Sequence, residues 1–176
     1  MDNASAVNNT DNKNTKQYLS FQIAGERYGV DILHVKEILQ FDNITPVPMM
    51  PESIAGVINL RGNIVSVVDL AARFNHQMSR KTARTCIVIV ELALEHESFD
   101  IGIMVDLVNE VLEIQQENLE PGPNFGSRIR ADFIESIGRI DDEFIILLKM
   151  EQVLSIDELS IVEELRINLP LEQNAS

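Results

Sequence analysis

Three histidines, one cysteine and 28 acidic residues are the side chains of this 176-residue chain that could support acid–base, nucleophilic or metal chemistry. His34, His76 and His96 lie far apart in the sequence, and no two of them have the short spacing of metal-binding pairs. Cys86 opens an apolar run, a setting that favours a buried, inert thiol over a nucleophile. The chain contains no phosphate-binding, dinucleotide-binding or hydrolase motif. The sequence therefore predicts no catalytic residue, no metal site and no cofactor.

Charge and composition narrow the kinds of partner. The formal net charge of −14 argues against nucleic acid and anionic membrane surfaces, because both require clustered Lys and Arg. A single cysteine excludes an intramolecular disulfide. Residues 1–16 are rich in Asn, Asp and Thr and do not resemble a signal peptide, and no apolar run is long enough for a membrane helix. We therefore expect a cytoplasmic protein whose partners present basic or apolar surfaces.

An internal repeat is the most informative pattern in the chain. Residues 28–39 align with 101–112 at a shift of 73, and residues 54–70 align with 134–150 at a shift of 80. The difference between the two shifts falls in connecting loops, where insertions are tolerated. The matched positions are mostly apolar, and few polar groups are shared. Two copies of one β-rich unit are therefore predicted to pack over a shared apolar seam.

Short strands dominate both copies. Alternating apolar residues over 19–32 predict a hairpin that turns near Gly25, and the runs on either side of Arg61, Gly62 and Asn63 predict a second hairpin. Residues 86–90 are apolar enough for a strand that is buried on both faces. Each copy supplies about five strands, which is the number that a small closed barrel needs.

Three short helices are predicted beside these strands. Val35, Ile38 and Leu39 follow one another at helical spacing, which predicts one or two turns of helix. Asp69 is placed to cap a short helix that ends near residue 74. Apolar residues at helical spacing between acidic ones predict an amphipathic C-terminal helix over 156–165.

The remaining segments are predicted to lack regular structure. Residues 115–130, which include two prolines and two glycines, predict a long loop. The N-terminal residues 1–16 and the C-terminal residues 167–176 are predicted to be flexible tails, because they offer little apolar surface to bury.

Arg61 is a candidate for a partner contact. It lies at the tip of a predicted hairpin, where an arginine is by default a solvated surface residue. The matching turn of the second copy has Asp141 and Asp142 in place of Arg61 and Gly62, so the fold does not require arginine there. The planar guanidinium can bind carboxylates or backbone carbonyls of another protein. We therefore expect Arg61 to contact a partner, with Glu37 directed toward solvent or a basic partner.

Several segments in order resemble hallmark sequences of the CheW family, the coupling proteins of bacterial chemotaxis. They are YGVDI at 28–32 with Val35, Glu37 and Ile38, ITPVP at 44–48, GVINLRG at 56–62 and VDL at 68–70. The resemblance implies a CheW-like domain over 17–166, with the internal repeat at about 17–74 and 85–152. It implies a mainly β fold of two Src-homology-3-like five-stranded β-barrels in pseudo-two-fold arrangement, with short helices and a C-terminal helix. Each barrel could be built from one copy or from strands of both.

The resemblance also implies two partners. One is the cytoplasmic tip of methyl-accepting chemotaxis receptors, to which the protein would be recruited in membrane-associated arrays. The other is the regulatory domain of the histidine kinase CheA. The receptor contact, in a groove near the barrel junction, carries over to Val35, Glu37, Ile38, Asn59, Arg61, Cys86 and Ile87. The kinase contact carries over to Ile44, Thr45 and Val47.

Two other functions compete with this non-enzymatic adaptor. A CheW-like coupling protein could serve a non-flagellar chemosensory pathway, such as pilus motility or second-messenger control, and only the identity of the nearby kinase and receptors would separate the two. An enzyme would need a polar constellation, and the sequence contains none.

Overall fold

The computed structural model describes residues 14–74, 81–94, 96–122 and 131–153 of the chain. The predicted C-terminal helix at 156–165, the tail at 167–176 and most of the predicted N-terminal tail lie outside these residues. The second half of the predicted loop at 115–130 lies outside them as well.

The described residues form eleven strands and two short α-helices in the following order. The strands of the first copy are β1 (Thr15–Ile23), β2 (Glu26–Asp31), β3 (Val35–Gln40), β4 (Ile54–Leu60) and β5 (Asn63–Asp69), followed by helix α1 (Leu70–Arg73). Those of the second copy are β6 (Cys86–Leu94), β7 (Glu97–Val105), β8 (Leu107–Gln115), β9 (Leu119–Glu120), β10 (Ile134–Ile140) and β11 (Glu143–Leu148), followed by α2 (Met150–Val153). Short 3-10 helices occupy Ile32–His34, Gln116–Asn118 and Ala131–Phe133.

Each of the two sheets takes strands from both copies of the repeat. The first barrel has the strand order β8-β1-β2-β11-β10-β9, and the second barrel has the order β3-β6-β7-β5-β4. The hairpin β1–β2 of the first copy therefore completes a barrel of the second copy, and the hairpin β6–β7 completes a barrel of the first. The predicted mainly β fold of two small barrels is confirmed, and the barrels are built by strand exchange.

Two parallel strand pairs show that the repeat is structural. β2 pairs with β11 with Gly29 opposite Leu147, and β5 pairs with β7 with Val67 opposite Gly102. These four residues correspond to one another at the shifts of 73 and 80 found in the sequence. Both glycines permit close approach of the neighbouring strand, since a Cβ on Gly29 would lie 2.9 Å from Leu147 Cδ2 and one on Gly102 would lie 3.2 Å from Val67 Cγ2. A pseudo-two-fold axis therefore relates the barrels.

The segment that begins at Val35 is a strand, so the predicted helix at Val35, Ile38 and Leu39 is wrong. β3 pairs with β6, and the register shifts between Val35 and Glu37, which leaves Lys36 as an inserted bulge residue. The inserted residue places Val35 and Ile38 on one face of the strand although they are three positions apart. The apparent helical spacing is the spacing of a bulged strand.

Two predicted segment boundaries also need correction. β1 begins at Thr15, so Thr15 and Lys16 belong to the sheet and not to the predicted tail at 1–16. The predicted loop at 115–130 begins with a 3-10 helix, and β9 then pairs with β10. In both places the ordering comes from pairing with a strand distant in sequence, which local composition does not reveal. The predicted cap of α1 is confirmed, because the Asp69 carboxylate accepts a hydrogen bond from Ala71 N at 3.0 Å.

Three apolar clusters fill the molecule. The largest contains residues of both barrels, among them Phe21, Tyr28, Val68 and Val90, and is the shared seam that the repeat predicted. The second cluster lies inside the first barrel around Tyr18, and the third lies inside the second barrel. Because the central cluster takes residues from both barrels, the two barrels are expected to unfold together.

Candidate functional site

The tip of the β4–β5 hairpin presents Arg61. Arg61 and Gly62 both have positive φ, +53° and +87°, and the side chain of Asn59 accepts a hydrogen bond from Gly62 N at 2.9 Å. The hairpin predicted on either side of Arg61, Gly62 and Asn63 is confirmed. Asn59, a predicted receptor contact, therefore also helps to close the turn. The arginine side chain is 76% exposed.

Arg61 and Glu37 bind each other across the mouth of the second barrel. Arg61 Nη1 donates to Glu37 Oε2 at 2.6 Å, and Nη2 donates to Oε1 at 3.3 Å. Glu37 was expected to face solvent or a basic partner protein, and it is instead paired with Arg61 of the same chain. Together with Lys36 and Asp100 the pair lines a shallow depression of about 150 Å³. Two predicted receptor residues are therefore held together as one charged unit on the surface.

Lys36, the bulge residue of β3, carries a second charged contact beside this unit. Its Nζ lies 3.1 Å from Asp100 Oδ2 and 3.5 Å from Glu91 Oε2. The hydrogen bond from Lys36 to Asp100 is the main reason that the pKa of Lys36 is raised, with a smaller contribution from Glu91. The ammonium therefore stays charged, and it places a fixed positive group next to the Arg61–Glu37 pair.

One face of the β3–β6 pair, opposite to the face that carries Glu37, presents Val35, Ile38 and Cys86. Ile38 is opposite Val88 in the register, and Cys86 is two positions further along the same face. Val35 and Cys86 pack against the central cluster, whereas Ile38 is 43% exposed. This face forms the half-buried, apolar side of the predicted receptor set. The thiol of Cys86, predicted to be buried, is half-buried and donates to Arg84 O at 3.3 Å.

Ile87 lies apart from the other predicted receptor residues. Its side chain is buried in the third cluster, inside the second barrel, opposite Leu39. A side chain in this position supports the strand that carries Cys86 and does not reach the surface. The structure therefore brings six of the seven predicted receptor residues to the surface of the second barrel, on two faces of the β3–β6 pair and at one hairpin tip.

The predicted kinase residues lie on an extended segment beside β4. Thr45 N donates to Val57 O at 2.9 Å, and Val57 N donates to Thr45 O at 2.8 Å. Ile44 packs against the third cluster and Val47 against the central cluster, while Thr45 is exposed. The segment is thus anchored by two apolar side chains and by one backbone bridge, which joins it to β4 at Val57, four residues before Arg61.

Comparison with known proteins decides the family. A family model described as the CheW-like domain matches residues 17–158. The chain belongs to the CheW-like domain family. Chemotaxis protein CheW of Klebsiella aerogenes is 32% identical over 148 residues, which are 84% of this chain and 87% of the relative. Chemotaxis protein CheW of Treponema pallidum is 29% identical over 143 residues, 81% of this chain and 84% of the relative.

A solved structure supports the same assignment. The crystal structure of the scaffolding protein TtCheW from Thermoanaerobacter tengcongensis matches this chain with a TM-score of 0.72 and 37% sequence identity, over 81% of this chain and 90% of that one. The family resemblance seen in the sequence is confirmed, and the CheW-like chain is a chemotaxis coupling adaptor. None of the helices in the described residues has the length and apolar character needed to cross a membrane.

The structure adds residues that sequence reasoning did not assign to the CheW-like site. Leu107, Val108 and Asn109 of β8 line a depression of about 470 Å³ together with Gln40 and Cys86. Val108 is the repeat counterpart of Val35, at a shift of 73. The repeat could therefore have predicted these residues, because the counterpart of a site residue in one copy is a candidate site residue in the other copy.

Proposed function

We propose that this chain bridges the cytoplasmic tips of methyl-accepting chemotaxis receptors to the regulatory domain of the histidine kinase CheA. It does so as an adaptor that catalyses no reaction, and binding to receptors recruits it to membrane-associated arrays. The observation that carries the proposal is the separation of two surfaces with different chemistry. One combines a charged unit with an apolar groove, and the other is a proline-framed segment on the outer side of β4.

The receptor surface is the groove face of β3 and β6 together with the Arg61 tip. Val35, Ile38 and Cys86 supply half-buried apolar area, and the β8 residue Val108 lines the same groove region. An apolar centre with charged residues at its rim is typical of transient protein interfaces. The Arg61–Glu37 unit at the rim orients the partner, because its charges interact with complementary groups before apolar contact is made.

The kinase surface is the segment that carries Ile44, Thr45 and Val47. The backbone bridge to Val57 and the packing of Ile44 fix the path of this segment before any partner binds. A preformed segment loses little conformational entropy on binding, which favours association. The exposed side of the segment includes Thr45 and the fully exposed Met49.

A ternary binding experiment tests the bridge. A preformed complex of this chain with a receptor cytoplasmic fragment is titrated with the CheA regulatory domain, and the expected result is a complex that contains all three proteins. Competition, in which the kinase domain displaces the receptor fragment, would show that one surface serves both partners and would overturn the bridging function.

The non-flagellar alternative has less support. The relatives from Klebsiella aerogenes and Treponema pallidum are both named as chemotaxis proteins, and neither name refers to pilus motility or second messengers. Chemotaxis is accordingly the pathway in which we place the proposed bridge.

A further inference from the structure

Gly56 on β4 lies directly beneath the kinase-contact segment. A Cβ added to Gly56 would lie 2.7 Å from Ile44 Cγ2 and 2.8 Å from the carbonyl carbon of Thr45, and closer still to the Thr45 carbonyl oxygen. Gly56 also has φ +148°, a conformation that side chains other than hydrogen rarely accept. Any side chain at position 56 would therefore occupy the space through which the backbone at 44–45 runs.

The two hydrogen bonds of the segment depend on this close approach. Both join Thr45 to Val57, the residue next to Gly56, with N···O distances of 2.9 and 2.8 Å. Thr45–Val57 is an isolated bridge and not part of a longer ladder. A Cβ at position 56 would push the backbone of Thr45 away from β4. This movement would lengthen both hydrogen bonds to Val57 and break them together.

The second copy shows that the barrel itself does not need this glycine. Ser136 is the repeat counterpart of Gly56, and the β10–β11 register shifts beside it as the β4–β5 register shifts beside Gly56. β9 nevertheless pairs with β10, with Glu120 opposite Ile137. A bulge and a neighbouring strand are therefore compatible with a side chain at this position. What requires glycine in the first copy is the particular path of residues 44–45.

We infer that Gly56 is a positioning residue for the kinase contact, an inference that rests on the proposed function of the segment. Gly56 makes room for the Thr45 carbonyl, the bridge to Val57 then fixes the segment, and the fixed segment presents Thr45 and Val47 to the kinase domain. A side chain at position 56 separates the segment from β4 and leaves the Arg61 tip and the groove face of β3 in place.

The test compares Gly56→Ala with Gly25→Ala. Gly25 also has positive φ, +81°, but no atom lies within 4 Å of a Cβ built on it, so this control carries backbone strain without the collision. We expect Gly56→Ala to accelerate hydrogen exchange of the Thr45 and Val57 amides by about tenfold or more, because the bridge opens. Binding to the CheA regulatory domain should weaken by about tenfold or more, and binding to the receptor fragment should change less than about twofold. Gly25→Ala should change none of the three.

A second pair of variants keeps the outcomes distinct. Thr45→Pro removes the N–H that donates to Val57 O without altering β4. Because Thr45 is itself a proposed kinase contact, the readout of this variant is exchange of the Val57 amide, which should accelerate as in Gly56→Ala and replaces that measurement if Gly56→Ala does not fold. Val47→Asp tests the proposed kinase contact without changing Gly56 or the Thr45–Val57 bridge. Unchanged amide exchange in Gly56→Ala would overturn the positioning role. Faster exchange with normal kinase binding, while Val47→Asp binds poorly, would also overturn it and leave the proposed function standing. If Gly56→Ala and Val47→Asp both bind normally, both proposals fall, and the silent Val47→Asp identifies the kinase contact as the error.

Discussion

Arg61 adopts a left-handed backbone conformation that is less stable for arginine than for glycine or asparagine. Its counterpart in the second copy, Asp141, has φ +48°, so a short polar side chain closes the same turn. What arginine adds is the two-point contact with Glu37 at the mouth of the second barrel. An exposed side chain that the turn does not require is available to a partner, and this is the physical basis for placing it in the receptor surface.

We expect Arg61→Asn to preserve the turn and weaken receptor binding. Asparagine accepts positive φ and an exposed ion pair stabilises little, so the free energy of unfolding should change by less than ~1 kcal/mol. Calorimetric titration with a receptor fragment should show affinity reduced about tenfold or more, because arginine is among the residues whose loss from an interface costs the most binding energy. Arg139→Asn is the matched control, because it removes the Arg139–Glu120 ion pair of 2.8 Å at the corresponding hairpin. Similar losses of receptor affinity in the two variants would contradict the assignment.

Tyr18 makes the folding stability of the protein depend on pH in the alkaline range. Its side chain is buried in the first barrel, and its hydroxyl has no hydrogen-bond partner among the described residues. Burial, with smaller contributions from Glu135 and Asp31, raises the pKa of Tyr18 to about 12. The folded-state pKa lies above the ordinary value of 10.0, so the stability from the neutral phenol is fully present below pH 10.0 and is lost as the pH rises through about 12.

We expect Tyr18→Phe to remove part of this alkaline loss. Phenylalanine keeps the ring and deletes a hydroxyl that lacks a partner in the described structure, so the free energy of unfolding at neutral pH should stay within ~1 kcal/mol of wild type. Denaturant unfolding of both proteins at a series of pH values from neutral to strongly alkaline measures the difference. The variant should lose less stability than wild type between pH 10.0 and about 12. Parallel pH profiles would show that Tyr18 ionises as freely in the fold as in the unfolded chain.

At the scale of elements, the β4–β5 hairpin depends on its turn. We expect Gly62→Val to destabilise the protein, because a β-branched residue is strained at φ +87° even though the space around Gly62 is open. Strain of ~1–2 kcal/mol should lower the thermal midpoint by about 2–8 °C in a chain of this size. Gly62→Asn is the control, since asparagine tolerates positive φ. Equal thermal midpoints for the two variants would show that the turn relaxes to another conformation.

Sequence patterns predicted the hairpins well and the bulged strand poorly. Gly62 and Asp69 act locally, one through its backbone freedom and the other through capping, so their roles could be predicted from their neighbours. Lys36 is different. Its insertion into β3 is visible only when β6 lies alongside, and without β6 the spacing of Val35 and Ile38 resembles that of a helix. Thr15 in β1 was missed for the same reason, because its partner is Gln115 of β8.

At the scale of the whole molecule, strand exchange was the feature that the repeat could not predict. Gly29 and Gly102 are repeat counterparts, and so are Val67 and Leu147. A barrel built from one copy would therefore pair the same types of residue in the same register as a barrel built from both copies, and the sequence does not distinguish the two arrangements. The site was predicted in part for a related reason. Arg61 and Glu37 were both proposed as contacts, but their mutual ion pair depends on β3 and the β4–β5 hairpin meeting at one barrel mouth. Ile87 was placed in the receptor surface because the family motif does not distinguish its buried side chain from its exposed neighbours.

The protein is strongly acidic, but its proposed kinase contact is an apolar segment. We therefore expect charge to affect the association rate with the kinase and apolar burial to provide most of the affinity. Charge acts at long range and is screened by salt, whereas apolar burial acts only on contact. Raised salt should therefore slow association with the CheA regulatory domain and leave dissociation nearly unchanged, as measured by surface plasmon resonance or stopped flow.

Val47→Asp should have the reverse effect on the same interaction. Val47 is half-buried against the central cluster, so the new carboxylate would be desolvated without a partner, and dissociation should accelerate about tenfold or more. Val111→Asp makes the same change at a valine that is 47% exposed on β8, outside the segment, and should leave kinase dissociation unchanged. Unfolding curves of both variants show whether either loses its fold. If kinase binding instead collapses at moderate salt and Val47→Asp is silent, the contact is electrostatic and lies elsewhere on this acidic surface.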